Sequence, residues 1–150
     1  MGKVTRPPVL FFACLILGAL LQYLWPLSIA NYSFATGMVA GSIALFLAAA
    51  LASWGIWKMK RHCTPIEPGR TPVRLVTTGP FRFSRNPLYL ALLLVHSAFA
   101  IMSNSLWLAL GTGVLLVLLD RLVVVREEAT IQNAFGTEYS NYVARVRRWL

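Results

Sequence analysis

The sequence predicts an all-α fold: a polytopic membrane helical bundle of about four transmembrane helices in a single domain of 150 residues. Hydrophobic residues make up 57% of the chain and the mean hydropathy is +0.64, which exceeds what soluble domains usually carry. Four long apolar segments are visible in the sequence, and they lie at about 9–30, 34–57, 88–102 and 105–125.

The first two segments have the length of membrane-spanning helices, which need roughly 20 apolar residues. The first one follows Lys3 and Arg6 as a signal peptide would, but it is too long and lacks a small-residue cleavage site. We therefore expect a retained helix over 9–30, with Pro26 tolerated near its end. In the second segment, Gly37 and Gly41 have the spacing that lets membrane helices approach closely.

The last two segments are predicted to form a helical hairpin over 88–125, with its turn at 103–105. The third segment is short, since fifteen residues reach only about 22 Å against a hydrocarbon core of ~30 Å. It either borrows flanking residues to cross the bilayer or forms a re-entrant hairpin with the fourth segment. Both arrangements leave the two ends of the hairpin on one side of the membrane.

Positive charge sets the predicted orientation. All fourteen lysines and arginines lie at 3–6, 58–85 and 121–148. Because cytoplasmic loops carry the excess of lysine and arginine, we expect both termini and the 58–87 loop in the cytoplasm, in a bacterial inner membrane. The net charge of +9 does not indicate a nucleic-acid-binding protein, since topology explains it and anionic lipid headgroups are its natural partners. His62 and Cys63 are adjacent, but two ligands do not make a metal site.

The 58–87 loop is unusually long for a connection without a function or internal structure. Four prolines, Pro65, Pro68, Pro72 and Pro80, are expected to make it a stiff cover over the cytoplasmic end of the bundle. The loop delivers a polar cluster to the membrane surface, and Pro87 then suits the first turn of the third helix.

The C-terminal part, 126–150, is predicted to hold cytoplasmic helices. Adjacent helical residues point about 100° apart, so one of Glu127 and Glu128 faces inward while the other pairs with an arginine. Asp120 and Arg121 lie one heptad earlier, so each is expected above one glutamate. A solvated, salt-bridged helix end fits this pattern equally well.

A short amphipathic helix is expected after a cap at Gly136. Its apolar stripe comprises Tyr139, Tyr142, Val143, Val146 and Trp149, and its other side comprises Glu138, Arg145 and Arg148.

Three motifs occur in order: Arg-Asn-Pro-x-Tyr at 85–89, Glu-Glu at 127–128, and Phe-Gly-x-Glu-Tyr-x-x-Tyr at 135–142. With them, the chain from about residue 68 onwards resembles the integral-membrane S-adenosylmethionine-dependent methyltransferases, which include isoprenylcysteine carboxyl methyltransferase and phosphatidylethanolamine N-methyltransferase. Asn86 stands where the prenylcysteine enzymes usually have histidine, which argues against a proton relay at that position. Ala91 stands where many members have glycine.

The resemblance implies a pocket for S-adenosylmethionine at the cytoplasmic face, closed by the 58–87 loop and the C-terminal helix. The cofactor-binding residues it implies are Arg85, Asn86, Pro87, Tyr89, Glu127, Glu128, Tyr139 and Tyr142, of which Arg85, Glu127 and Glu128 are also the candidate catalytic residues. The implied partner is a lipophilic acceptor that enters from the lipid and carries a carboxylate or an amine. Arg82 and Arg145 are the candidates for binding a carboxylate, and no metal ion is required.

Two other functions remain open on the sequence. Membrane sterol-type reductases look similar in their C-terminal region and use NADPH, although the adjacent glutamates favour the methyltransferases. A non-enzymatic membrane protein that binds a lipid or a partner would keep the same scaffold.

Overall fold

The computed structural model describes residues 6–62 and 74–150, and it confirms the predicted all-α class. The described residues form no β-strand. The elements in chain order are α1 (Pro7–Leu24), α2 (Phe34–Arg61), a 3-10 turn (Gly79–Arg82), α3 (Pro87–Met102), α4 (Leu106–Leu119), a π-helical segment (Asp120–Val124), α5 (Val125–Phe135) and α6 (Thr137–Val143). Cys63 and the prolines at 65, 68 and 72 lie outside the described residues, so the predicted proline-rich cover stays a prediction.

Within residues 6–62 and 74–150, three helices are long and apolar enough to cross a membrane: α1, α2 and the continuous helix Leu106–Phe135, which comprises α4, the π segment and α5. The chain is thus an integral membrane protein. The predicted fourth span, α3, has 16 residues and is about 24 Å long, which is less than a hydrocarbon core of ~30 Å. A full crossing by α3 stays a prediction.

The prediction that the first helix reaches residue 30 is wrong, because α1 ends at Leu24. Trp25 leaves the helical conformation with φ −138°, as expected for the residue before Pro26, whose ring disfavours helical geometry there. The following residues instead form a connection that pairs with the predicted hairpin turn. The backbone N–H of Leu106 donates to the carbonyl of Leu27 at 2.9 Å.

The helices pack side by side, with α3 between α2 and α4 and with α1 on α4. The predicted close approach at the small residues of α2 is confirmed at Gly41, which is buried against α3. A methyl group there would clash with the Met102 side chain and lie 3.1 Å from the carbonyl oxygen of Ala98. Small residues are what allow such contacts in a membrane, where apolar burial drives no helix association.

The 3-10 turn docks on the end of α2 and positions the polar cluster that follows it. Gly79 has φ +68°, and a Cβ there would lie 2.8 Å from Lys58 Cγ, so glycine suits both the conformation and the contact. Pro80 is buried beneath the turn. Residues 82–86 are thereby held at the end of the bundle, directly before α3.

Candidate functional site

The segment before α3 is fixed by the C-terminal tail, 144–150. The backbone N–H of Arg85 donates to the carbonyl of Arg147 at 3.1 Å. The carbonyl of Arg148 accepts hydrogen bonds from Ser84 Oγ and Asn86 Nδ2, each at 3.2 Å. Ser84 Oγ also accepts from the backbone N–H of Asn86 at 3.1 Å. The tail therefore ties the Arg-Asn-Pro-x-Tyr motif to the opposite side of the site.

The π segment sets the directions of the two glutamates. A π turn holds one more residue than an α-turn, so it shifts every later side chain by about 100° relative to a continuous α-helix. Asp120 therefore lies on one face with Glu128, not with Glu127 one heptad away. The expectation that Asp120 and Arg121 each lie above a glutamate therefore holds for Asp120, with Glu128 in place of Glu127, and is wrong for Arg121. The Arg121 side chain is largely exposed and only approaches Asp120, at 3.9 Å.

Four charged side chains form a cluster at this end of the bundle, which we call the guanidinium cluster: Arg85, Asp120, Glu128 and Arg148. Arg85 Nη1 lies 2.9 Å from Glu128 Oε1, and Arg148 Nη2 lies 2.6 Å from Glu128 Oε2. Arg148 Nη1 also lies 3.1 Å from Asp120 Oδ1, which accepts a further hydrogen bond from Trp149 Nε1 at 3.1 Å. Two cations and two anions thus balance each other in a partly buried position.

Arg148 and Trp149 differ from the sequence expectation. The predicted amphipathic helix ends early, since α6 stops at Val143, and the tail beyond it turns inward. Arg148 consequently points at carboxylates instead of lying on a solvated helix face. The hydrogen bond with Glu128 is the main reason that the pKa of Arg148 is raised above its ordinary value, which further favours the charged guanidinium.

Glu127 and Tyr89 form a second, separate contact. The Tyr89 hydroxyl donates to Glu127 Oε1 at 2.8 Å. Tyr89 also packs on a core cluster, whose buried members are Phe11, Cys14, Leu93, Leu115, Leu119 and Val123. This pair joins the first turn of α3 to α5 beside the guanidinium cluster.

Two tyrosines of α6 close the site at the end of the bundle that holds the guanidinium cluster. The Tyr142 hydroxyl donates to the carbonyl of Phe81 at 2.6 Å, and Arg85 Nη1 donates to the Tyr139 hydroxyl at 3.4 Å. Burial raises the pKa of both phenols, and the negative charge of Glu128 raises that of Tyr139 further. Both side chains therefore stay neutral and present aromatic faces and hydroxyl groups to the site.

The structure brings most of the predicted site residues together, namely Arg85, Asn86, Pro87, Tyr89, Glu127, Glu128, Tyr139 and Tyr142. It does not bring in Arg82 and Arg145, which are exposed; Arg145 Nε donates to the carbonyl of Asn141 at 3.1 Å. Four contributors were missed as site residues: Ser84, Asp120, Arg148 and Trp149. No local sequence signal identified them, because their contacts with the site join residues that are far apart in the sequence.

One polar atom of the site lacks a partner. Arg85 Nε is buried, and its N–H finds no acceptor among the described residues, although Nη1 of the same guanidinium is paired. A buried donor without an acceptor is costly, and an acceptor oxygen of a ligand would satisfy it. Together with a carboxylate and aromatic faces, this donor suits a small molecule that carries both a carboxylate and a cationic group.

Comparisons with known proteins assign the chain to a family. Residues 36–138 match the phospholipid methyltransferase family. A Haemophilus influenzae protein, described only as uncharacterized, is 38% identical over 65 residues, which cover 42% of this chain and 100% of the relative. No solved structure matches the chain significantly. Since the family match extends over well more than half of the residues and includes α3 and the glutamate pair, this chain belongs to the phospholipid methyltransferase family.

Proposed function

We propose that the chain transfers a methyl group from S-adenosylmethionine to a lipophilic acceptor at the cytoplasmic face of its membrane. Family membership makes it a membrane methyltransferase with lipid-type substrates. The observation that carries the finer proposal is the buried, unpartnered Nε–H of Arg85, whose Nη1 is paired with the Glu128 carboxylate. A cofactor with an amino-acid end supplies a carboxylate for this donor and an ammonium group for a glutamate.

The residues present fit this cofactor. Arg85 and Asn86 would hold its carboxylate through charge-assisted and neutral hydrogen bonds. Glu127 or Glu128 would meet its ammonium group. Tyr89, Tyr139 and Tyr142 would pack their rings near the adenosine or the cationic sulfur, since aromatic faces attract cations.

The protein's part in the reaction is positioning and exclusion of water. When bound, the cofactor supplies an electrophilic methyl group, whose bond to sulfur breaks as a bond to the acceptor's oxygen or nitrogen forms. The tail 144–150 and α6 would cover this position, and a dry, oriented site is the main requirement of such a displacement. Tyr139 and Tyr142 would remain neutral throughout.

The class of acceptor decides what else is needed. A carboxylate acceptor requires no base, and Arg82 or Arg145 would bind it after moving from its exposed position. An amine acceptor must lose one proton, for which Glu127 is the candidate base because no arginine neutralises it among the described residues. Orientation with the site and both termini in the cytoplasm follows from the distribution of lysine and arginine.

The proposal is tested by isothermal titration calorimetry of the detergent-solubilised protein with S-adenosylhomocysteine and, separately, NADPH. We expect saturable binding of S-adenosylhomocysteine, weakened at least about tenfold in Arg85→Lys, which keeps the charge but removes the Nε donor. Arg126→Lys is the matched control, since Arg126 is exposed, and it should bind as the wild type does. Binding of NADPH alone would favour a reductase, and binding of neither would favour a non-enzymatic role.

The acceptor is then identified with the protein in vesicles and a radiolabelled methyl donor. Phosphatidylethanolamine vesicles offer a lipid amine, and phosphatidylcholine vesicles supplemented with a farnesylcysteine analogue offer a lipid-linked carboxylate. Label in the lipid fraction of only one preparation assigns the acceptor class.

A further inference from the structure

The two adjacent glutamates have different electrostatic surroundings. Both oxygens of Glu128 are taken: Oε1 by Arg85 Nη1 at 2.9 Å and Arg148 Nε at 3.2 Å, and Oε2 by Arg148 Nη2 at 2.6 Å. Glu127 accepts one hydrogen bond, from the neutral Tyr89 hydroxyl, and within the described residues no cation contacts it. One carboxylate is therefore fully neutralised and its neighbour is not.

Arg148 produces this difference. Its guanidinium contacts Glu128 and Asp120 at the same time, which is possible because the π segment places those two carboxylates on one face. Its backbone carbonyl is held independently by Ser84 and Asn86. Because the residue is anchored through both main chain and side chain, and because two guanidinium groups already neutralise Glu128, that carboxylate attracts a ligand's cation less than Glu127 does.

We propose that Arg148 is a positioning residue that divides the roles of the two glutamates: it holds Glu128 inside the guanidinium cluster and so leaves Glu127 to meet a cationic nitrogen of a ligand. This inference rests on the proposed function. Under that function two ligands carry such a nitrogen, the amino-acid end of the cofactor and the amine of an acceptor lipid. The hydroxyl of Tyr89 fixes the Glu127 carboxylate through one oxygen and leaves the other for this contact.

The test is a double-mutant cycle read by calorimetric titration with S-adenosylhomocysteine. We expect Glu127→Gln to weaken binding at least about tenfold, because a charge-assisted hydrogen bond becomes a neutral one. In the Arg148→Ala background Glu128 is released and can replace Glu127. There, the factor by which Glu127→Gln weakens binding of S-adenosylhomocysteine should be at least about threefold smaller. In the Arg148→Lys background, where the cation is kept, Glu127→Gln should cost as much as in the wild type. Glu138→Gln, at an exposed glutamate of α6, is the matched control.

A second arm separates the two sources of the cation. If Glu127 meets the acceptor's amine, Glu127→Gln leaves the affinity for S-adenosylhomocysteine unchanged and raises KM for phosphatidylethanolamine in vesicles at least about tenfold. Either pattern supports the division of roles. A Glu127→Gln protein with the affinity and the KM of the wild type would overturn it. It would also be overturned if Glu127→Gln weakened binding by the same factor in the wild-type and the Arg148→Ala backgrounds.

Failure of the inference is distinguishable from failure of the proposed function. A folded wild-type protein that does not bind S-adenosylhomocysteine overturns the proposed function, and the inference falls with it. A wild-type protein that binds while Glu127→Gln binds equally well, with an unchanged KM, overturns the inference alone. If Arg148→Ala does not fold, the Arg148→Lys background and the Glu127→Gln single variant still decide the assignment of Glu127.

Discussion

The two ends of the α3–α4 hairpin are closed in different ways. At the turn, neutral hydrogen bonds join the hairpin to the connection after α1. Asn104 Oδ1 accepts from the backbone N–H of Ile29 at 3.0 Å, and Asn104 Nδ2 donates to the carbonyl of Ala30 at 2.9 Å. Ser105 Oγ also donates to Gln22 Oε1 at 2.9 Å. At the opposite end, the guanidinium cluster joins the start of α3 to the π segment, α5 and the tail.

The neutral end has the contacts that the fold itself requires, whereas the charged end has features of a ligand site. The neutral end uses short side chains to satisfy nearby backbone groups, which is what any buried or membrane-facing turn requires. The charged end requires partial desolvation of four ions. Within the described chain, the Arg85 Nε donor still has no acceptor, and the Glu127 carboxylate still has no cationic partner. Buried polar and charged groups that lack such partners are typical of a ligand site.

The largest expected effect comes from removing the charge at the centre of the guanidinium cluster. Glu128→Gln leaves the guanidinium of Arg85 without a carboxylate and that of Arg148 with Asp120 alone, so we expect a loss of about 3 kcal/mol in unfolding free energy. Thermal unfolding in detergent, followed by circular dichroism, measures it against Glu138→Gln at an exposed position. An unchanged midpoint in Glu128→Gln would show that the cluster contributes no stability.

A smaller loss is expected at the neutral end. Asn104→Ala removes the hydrogen bonds to the 25–33 connection and places alanine at φ +47°, a region that asparagine tolerates better, so we expect to lose about 2 kcal/mol. Binding of S-adenosylhomocysteine should not change, because this side chain lies at the other end of the hairpin. Weakened binding in a folded Asn104→Ala protein would contradict the separation of the two ends.

The neutral end was the easier one to predict from sequence. Ser103, Asn104 and Ser105 interrupt an apolar run, and local rules for turns and caps then apply; Ser105 indeed caps α4 by accepting from the N–H of Leu108. The error at that end was also local, since Pro26 ends α1 instead of being absorbed into it. Helix positions follow from periodicity and hydropathy because those signals extend over many residues.

Only part of the membership of the charged end was predicted. The motifs identified Arg85, Tyr89 and the glutamates, but not which partner each would take. The π segment has no sequence signature of its own, and one inserted residue per turn reverses which glutamate faces Asp120. Arg148 reaches Glu128 through a tail that leaves its helix early, and a pairing twenty residues apart depends on tertiary structure that helical periodicity does not contain.

A loss of about 1 kcal/mol is expected for Tyr142→Phe, which removes the hydroxyl that donates to the carbonyl of Phe81 and so loosens α6 over the charged end. Tyr23→Phe is the matched control, because the Tyr23 side chain is 84% exposed. Thermal unfolding compares the two variants with the wild type. Equal midpoints in all three would mean that this hydrogen bond adds nothing to the closure of the site.

The smallest effect is a dependence of stability on alkaline pH to which two tyrosines at the charged end contribute. Burial raises the pKa of Tyr139 and Tyr142 in the folded protein, so both phenols keep their protons at a pH where the unfolded chain releases them, above about 10. The unfolded state then binds fewer protons, and stability present below pH 10 falls as the pH rises. We expect the midpoint of thermal unfolding to decline between pH 9.5 and 11 on the order of a few degrees, with a shallower decline in Tyr139→Phe. Asn104→Ala should keep the wild-type dependence of the unfolding midpoint on pH, since it alters only the neutral end. A dependence that changes in Asn104→Ala but not in Tyr139→Phe would contradict the assignment of this effect to the charged end.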